Sequence, residues 1–179
     1  MRLSMENYFE FYGIPVSFQP DTKLVRKTYY ANSKKYHPDF FTLESEEKQA
    51  EVLELSSKNN KAFELLNDPD ALMKYVLELK GILQEGQTAS VPPMFLMEMM
   101  DVNEEIEALE NNFSVEKLKK IESAIDALEN EGYAQVELII KNYSDQTTSI
   151  SDLEKVKDFF LKKQYLLRIK EKLSTFASR

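Results

Sequence analysis

Apolar residues recur along the chain at spacings of three and four, and no segment alternates regularly between apolar and polar positions. Spacings of three and four place apolar side chains on one face of a helix, whereas alternation would indicate a strand. Long stretches rich in Glu, Lys and Leu also favour helix. The pattern therefore predicts an all-α protein.

Four helices are predicted in the first part of the chain. Asn7 followed by Glu10 is typical of a capping box at a helix start, and Asp21 is a second candidate N-cap. Asn67, Asp68 and Pro69 interrupt the third helical pattern, with Pro69 in the first turn of the fourth helix. The predicted helices cover about residues 7–12, 21–36, 44–66 and 69–81.

Residues 81–93, GILQEGQTASVPP, contain two of the four glycines and two of the six prolines. Such a change in composition is typical of a domain boundary. We therefore expect a first domain at 1–81, a linker at 82–93 and a second domain at 94–179.

The second domain is predicted to contain three helices. Short turns should join them into an antiparallel three-helix bundle. Ser114 is the expected N-cap of the middle helix, and Gly132 is expected to bend it. The apolar positions of the three helices are, in order, Phe95, Met99, Val102, Ile106, Leu109 and Phe113; Leu118, Ile121, Ile125, Leu128, Val136 and Ile139; and Leu153, Val156, Phe160 and Leu167.

Composition excludes several classes of function. The chain has no cysteine and one histidine, so thiolate catalysis, disulfides and metal sites with several imidazoles are not expected. No apolar run approaches about 18 residues, and no cleavable leader is recognisable at the N-terminus. We expect a soluble, cytoplasmic protein that needs no metal or cofactor and does not bind membranes.

The charge is distributed unevenly. The formal net charge is -8, which argues against a nucleic-acid partner. Residues 94–131 hold eleven acids and three lysines, whereas residues 21–36 hold five cations and one acid. A basic helix in an acidic protein indicates an acidic partner for that helix.

The second helix has two distinct faces. Val25, Thr28, Tyr29, Asn32 and Tyr36 share the face expected to pack. The other face, here called the basic face, carries Lys23, Arg26, Lys27, Tyr30 and Lys34. The alternative is that this face is merely solvated, as most charged helix faces are.

The tripeptide His37-Pro38-Asp39 contains the only histidine and lies between two predicted helices. Pro38 lacks a backbone N–H and restricts the residue before it, so the preceding helix ends near Tyr36. One interpretation is a helix stop with a polar turn. A catalytic His/Asp pair is another, but no nucleophile motif or phosphate-binding glycine loop accompanies it.

The tripeptide and its neighbours resemble a J-domain, the module that stimulates ATP hydrolysis by DnaK-type chaperones. The matching residues are Tyr36 to Asp39 after a basic helix, then Asn60, Ala62, Phe63, Leu66, Asp68 and Pro69. The resemblance implies a helical hairpin flanked by short helices. It also implies that His37, Pro38 and Asp39 contact the chaperone near its nucleotide-binding domain and interdomain linker, while the basic face meets an acidic surface.

Two departures from the J-domain pattern are visible. Asn32 and Ser33 are polar at positions where the packed face usually carries apolar residues, which is expected to loosen the packing. Phe40 replaces the basic residue that often follows the tripeptide, so one charge contact with the chaperone is lost.

The chain as a whole resembles the HscB-type co-chaperones of iron–sulfur cluster assembly. The sequence YVLELKG at 75–81 closes the first domain, and FLME at 95–98 opens an acidic bundle. No glycine/phenylalanine-rich or cysteine-rich segment follows the first domain, and residues 101–105 lack the arginine often found there. The resemblance implies a non-enzymatic protein that brings an IscU-type scaffold to a DnaK/HscA-type chaperone, with a weak homodimer also compatible.

A candidate scaffold-binding face lies on the first bundle helix. The core stripe is complete without Leu96, Met97 and Met100, which therefore lie partly outside it, beside Asp101 and Glu104. In the family an aromatic residue of the last helix also contributes, and Phe160 is the candidate here, with Phe159 nearly equivalent. Alternatively, these apolar residues seal the junction between the domains, or the helix is buried on two sides.

Two further hypotheses remain at this point. The protein could be a J-domain co-chaperone for a different client that uses the same face. It could also be a helical structural or dimerisation protein in which the tripeptide is only a turn.

Overall fold

A computed structural model describes residues 7–84 and 91–177. The described residues form α-helices and one short 3₁₀ helix, Pro38–Phe41, without strands, which confirms the predicted all-α class. The helices are α1 (Tyr8–Tyr12), α2 (Thr22–Lys35), α3 (Glu46–Asn67), α4 (Pro69–Leu79), α5 (Pro93–Asn111), α6 (Val115–Lys141) and α7 (Ile150–Ala177). Within the described ranges no helix combines the length and apolar character needed to cross a membrane.

The chain divides into two compact units. The first contains Met1–Lys80 and Tyr143–Gln146, and the second contains Gly81–Asn142 and Thr147–Arg179. The short segment Tyr143–Gln146, within the range expected for the second domain, thus belongs with the first unit. There the Tyr143 ring meets the Phe18 ring edge-on at 5.0 Å.

Side-chain caps define the helix starts in the first unit. Asn7 accepts a hydrogen bond from the Glu10 N–H, and Asp21 accepts from the Lys23 and Leu24 N–H groups. Ser45 caps α3 and Asp68 caps α4. Each cap satisfies N–H groups that have no partner inside the helix, so these boundaries are fixed by local sequence.

The α2–α3 hairpin encloses a hydrogen-bonded polar residue. Asn59 of α3 is 1% exposed, and its amide nitrogen donates to the Tyr29 carbonyl and to Ser33 Oγ, each at 3.1 Å. Tyr12 Oη donates toward the Asn59 side-chain oxygen at 3.0 Å. Burial, with a smaller contribution from Tyr29, raises the pKa of the Tyr12 hydroxyl and keeps it protonated as a donor.

Ser33 therefore does not loosen the hairpin as expected. Its hydroxyl accepts from Asn59 and donates to the Tyr29 carbonyl at 2.8 Å. An apolar residue at position 33 would remove a partner from the buried Asn59 amide. The polar residue on α2 thus matches a polar residue on α3.

The second unit is an antiparallel bundle. Lys170 of α7 pairs with Asp126 of α6, while Phe159 meets Tyr133, so residue numbers rise along α6 as they fall along α7. Between α5 and α7, residue numbers of contacting residues instead increase in the same direction, so these two helices run parallel. The shared core contains Phe95, Met99, Val102, Ile106, Leu109, Leu118, Ile121, Ile125, Leu166, Ile169 and Leu173.

Several predicted bundle positions were wrong. Phe113 is half-exposed because α5 ends at Asn111, so this residue has left the helical register. On α6 the fully buried position is Ile140, and Ile139 is only partly buried. Leu128 is partly buried but packs against the core, as predicted. On α7 the fully buried position is Leu166, and Leu167 is only partly buried.

Gly132 lies within the continuous helix α6 and permits a close approach of α7. A methyl group built at Gly132 would lie 3.1 Å from Cδ2 of Phe159. The glycine therefore makes room for an aromatic ring, a role that the sequence did not indicate.

We expect Asn59→Ala to lower the free energy of unfolding by about 1–3 kcal/mol, because Ser33 and Tyr12 lose their buried partner. Urea denaturation followed by circular dichroism measures this change. The matched control is Asn60→Ala at the next, exposed position, where water can replace the hydrogen bond to Tyr29. Equal effects of the two substitutions would contradict a special role for the buried network.

Candidate functional site

The tripeptide His37-Pro38-Asp39, here called the HPD turn, immediately follows the end of α2. The Tyr36 N–H still bonds back to the Asn32 carbonyl, but His37 has extended backbone angles. Pro38 then occupies the first position of the 3₁₀ helix. The predicted helix stop is confirmed, and all three residues of the turn are exposed.

Within the HPD turn, the His37 side chain caps the 3₁₀ helix. The Asp39 N–H donates to His37 Nδ1 at 3.3 Å, while Asp39 Oδ2 lies 3.7 Å from the same nitrogen. The side chains are 51% and 83% exposed, so the imidazole edge and the carboxylate both face solvent.

The basic face is arranged on α2 as predicted. Lys23, Arg26, Lys27, Tyr30 and Lys34 are exposed, whereas Val25 is fully buried. The Arg26 guanidinium lies 5.9 Å from the centre of the Tyr30 ring, close enough for a cation–π contact. The structure therefore brings together, on α2 and the turn that follows it, the eight residues of the predicted chaperone-binding set.

A groove of about 280 Å³ lies beside the HPD turn, and the sequence did not predict it. It is lined by Pro38, Asp39, Phe41, Thr42, Gln49, Ala50, Val52 and Leu53. Phe40, Leu43 and Leu53 are large and exposed. Large exposed apolar side chains thus follow the turn in the sequence.

The described ranges contain no cluster of three or more His, Asp or Glu side chains that could hold a metal ion. The His37 and Asp39 pair lies on an open turn, whereas general acid–base catalysis needs a substrate held within reach of the proton-transfer group. The arrangement is suited to contact with another macromolecule.

The outer face of α5, defined as Leu96, Met97, Met100, Asp101 and Glu104, is exposed. The three apolar side chains are 44%, 64% and 58% exposed, respectively. Met94, at the start of the same helix, is also exposed and was missed. The buried stripe of α5 consists of Phe95, Met99, Val102, Ile106 and Leu109, so the prediction that the apolar residues lie outside it is confirmed.

The structure does not place Phe160 on an exposed surface. Phe160 and its neighbour Phe159 are each only 6% exposed. Both rings are therefore part of the packed interior, and neither presents a surface to a partner. The prediction, made from the resemblance, that Phe160 contributes to the scaffold-binding face is therefore wrong.

One protein-family model matches the second unit. The family described as the HSCB C-terminal oligomerisation domain matches residues 91–174. This range contains α5, with its outer face, and α6 entirely, and α7 as far as residue 174.

Curated relatives are co-chaperones. The co-chaperone protein HscB homolog of Vibrio cholerae is 36% identical over 104 residues, which are 58% of this chain and 61% of the relative. The match thus spans about three fifths of that relative's length. The homologs of Haemophilus ducreyi and Aliivibrio fischeri are 34% and 30% identical, over 64% and 76% of this chain and 67% and 81% of their own lengths.

Two solved structures share the fold over nearly the whole chain. Chaperone HscB from Vibrio cholerae has a TM-score of 0.67 at 25% identity, with 97% of this chain and 98% of that chain covered. Human co-chaperone protein HscB has a TM-score of 0.72 at 27% identity, with 97% and 83% covered. Together with a first unit that has the J-domain arrangement, these matches show that the chain belongs to the HscB family of co-chaperones.

Proposed function

We propose that this chain stimulates the ATPase of a DnaK/HscA-type chaperone and delivers an IscU-type iron–sulfur cluster scaffold to it. Stimulated hydrolysis would trap the scaffold on the chaperone and promote cluster transfer to acceptor proteins. The observation that carries the proposal is the exposed HPD turn beside the basic face in a chain of the HscB family. The co-chaperone itself needs no catalytic group.

The domain roles follow the sequence-based division. Residues 1–81 act as the J-domain, 82–93 as a linker and 94–179 as the client-binding bundle. Each of the two units carries one candidate binding surface, so chaperone and scaffold have separate sites on the chain.

Charge is the main determinant of the chaperone contact in this proposal. The basic face belongs to a protein with a formal net charge of -8. A local positive surface on a negative protein orients the molecule as it approaches an acidic partner and so raises the association rate. The HPD turn then makes the short-range contacts that couple binding to hydrolysis.

Apolar contact is the main determinant of scaffold binding. Leu96, Met97 and Met100 are large, exposed and adjacent on α5, and the flexible thioether side chains adapt to an uneven surface. Asp101 and Glu104 border them and limit non-specific association. This arrangement of apolar anchors with a polar rim is typical of protein interfaces.

We expect His37→Gln and Asp39→Asn to abolish stimulation of chaperone ATPase activity. Both side chains are exposed, so the helical circular dichroism signal and the melting temperature should change little. A steady-state ATPase assay with a DnaK/HscA-type chaperone measures the effect.

The control for the HPD variants is Glu54→Gln on the exposed surface of α3. It should stimulate like the unmodified chain. Normal stimulation by the two HPD variants would contradict the proposed J-domain role of this turn. Absence of stimulation by the unmodified chain would instead favour the helical structural or dimerisation hypothesis.

Affinity for the chaperone should fall as salt is raised, because exposed charges are screened beyond about 8 Å at physiological ionic strength. Arg26→Glu combined with Lys27→Glu should mainly lower the association rate, measured by surface plasmon resonance at two salt concentrations. Lys117→Glu combined with Lys119→Glu on α6 is the control with the same change in net charge. Equal slowing by the control pair would argue against a specific role for α2.

Replacing Leu96, Met97 and Met100 together by alanine should weaken scaffold binding by at least about 1–2 kcal/mol, as removal of interface anchors does. Calorimetric titration with an IscU-type scaffold measures this loss. Thermal stability should change little, because the three side chains are exposed. Truncation of a buried core side chain to alanine would instead lower the free energy of unfolding by about 2–5 kcal/mol.

The matched control for the triple variant is Val115→Ala with Leu138→Ala, two exposed apolar residues on α6. It should bind the scaffold normally. A large fall in melting temperature with full scaffold affinity would show that the three α5 residues support packing. Chaperone stimulation without any scaffold binding would favour a J-domain co-chaperone for a different client.

A further inference from the structure

Exposed methionines are concentrated on the first two turns of α5. The chain has seven methionines, five of them in the described ranges. Met94, Met97 and Met100 are 69%, 64% and 58% exposed, whereas Met73 and Met99 are 8% and 0% exposed. Three accessible thioethers thus lie at intervals of three residues, and a fully buried one lies on the same helix.

Accessible thioethers are the main targets of mild oxidants in a chain of this composition. Thiolates react with peroxides more readily than thioethers do, but this chain has no cysteine. Burial protects a thioether because the oxidant must reach the sulfur. Exposure therefore separates Met94, Met97 and Met100 chemically from Met73 and Met99.

We propose that Met94, Met97 and Met100 form an oxidation site at which hydroperoxides control client binding. The sulfur lone pair of each thioether attacks one peroxide oxygen, and the O–O bond breaks. Sulfur is oxidised by two electrons to the sulfoxide, and hydrogen peroxide is reduced to one water molecule. No metal or cofactor is needed for this step.

Oxidation changes the property on which the outer face of α5 depends. A sulfoxide is polar and must be desolvated on binding, whereas a thioether is apolar. Two of the three sulfurs belong to the proposed scaffold-binding anchors, and Met94 lies one turn away. This inference rests on the proposed function, because it assigns a chemical switch to the client-binding face.

The first test needs no partner protein. The intact chain is treated with increasing hydrogen peroxide, and oxidation at each methionine is followed by peptide mass spectrometry. Met94, Met97 and Met100 should be oxidised well before Met73 and Met99. Oxidation of Met99 at the same rate as Met97 would overturn the assignment of a selective site.

The second test measures scaffold affinity before and after oxidation. Calorimetric titration with an IscU-type scaffold should show at least about tenfold weaker binding after treatment, or about 1.4 kcal/mol. Reduction of the treated chain by methionine sulfoxide reductases should restore the original affinity. Unchanged affinity with confirmed sulfoxides at all three positions would overturn the inference.

A leucine variant at the three positions locates the effect. Leucine is apolar and has no sulfur to oxidise, so the ratio of its affinities before and after peroxide should be close to one, whatever its starting affinity. A peroxide-dependent loss equal to that of the unmodified chain would place the sensitive group elsewhere and overturn the inference. Absence of scaffold binding by the untreated, unmodified chain would instead contradict the proposed function.

Discussion

The hydrogen bonds of Asn59 hold the helical hairpin on which the HPD turn depends. One buried amide connects Tyr12 at the end of α1 with Tyr29 and Ser33 on α2. An amide has fixed donor and acceptor directions, so the network selects one relative position of the helices, whereas apolar packing alone tolerates small shifts. Because α2 ends at the HPD turn, this fixed position also determines where His37 and Asp39 are presented.

The two units use different physical means to present a surface. In the first unit, a rigid hairpin supports charged residues and a short turn. In the second, a complete core along α5 leaves large apolar residues on the opposite side of the same helix. A full core makes these residues unnecessary for folding, so their exposure is compatible with a stable bundle.

Sequence alone predicted the features that depend on local chemistry or on a single helical period. Asn7, Asp21 and Pro69 act as predicted, and the buried stripe of α5 follows the expected spacing. The partnership of Ser33 with Asn59 could not be predicted, because it joins residues 26 positions apart on different helices. Periodicity correctly placed Phe160 among the packed positions of α7, and its assignment to the binding face came only from the resemblance, which cannot show whether a ring is exposed.

The contact between Gly132 and Phe159 has a consequence for attempts to engineer this protein. Replacing a helical glycine by alanine is a common stabilising change, worth about 1 kcal/mol in helix propensity. Here the added methyl group would crowd the Phe159 ring. The gain in helix propensity is therefore opposed by a loss in packing between α6 and α7. A design procedure that scores helices one at a time would therefore select a substitution that the neighbouring helix resists.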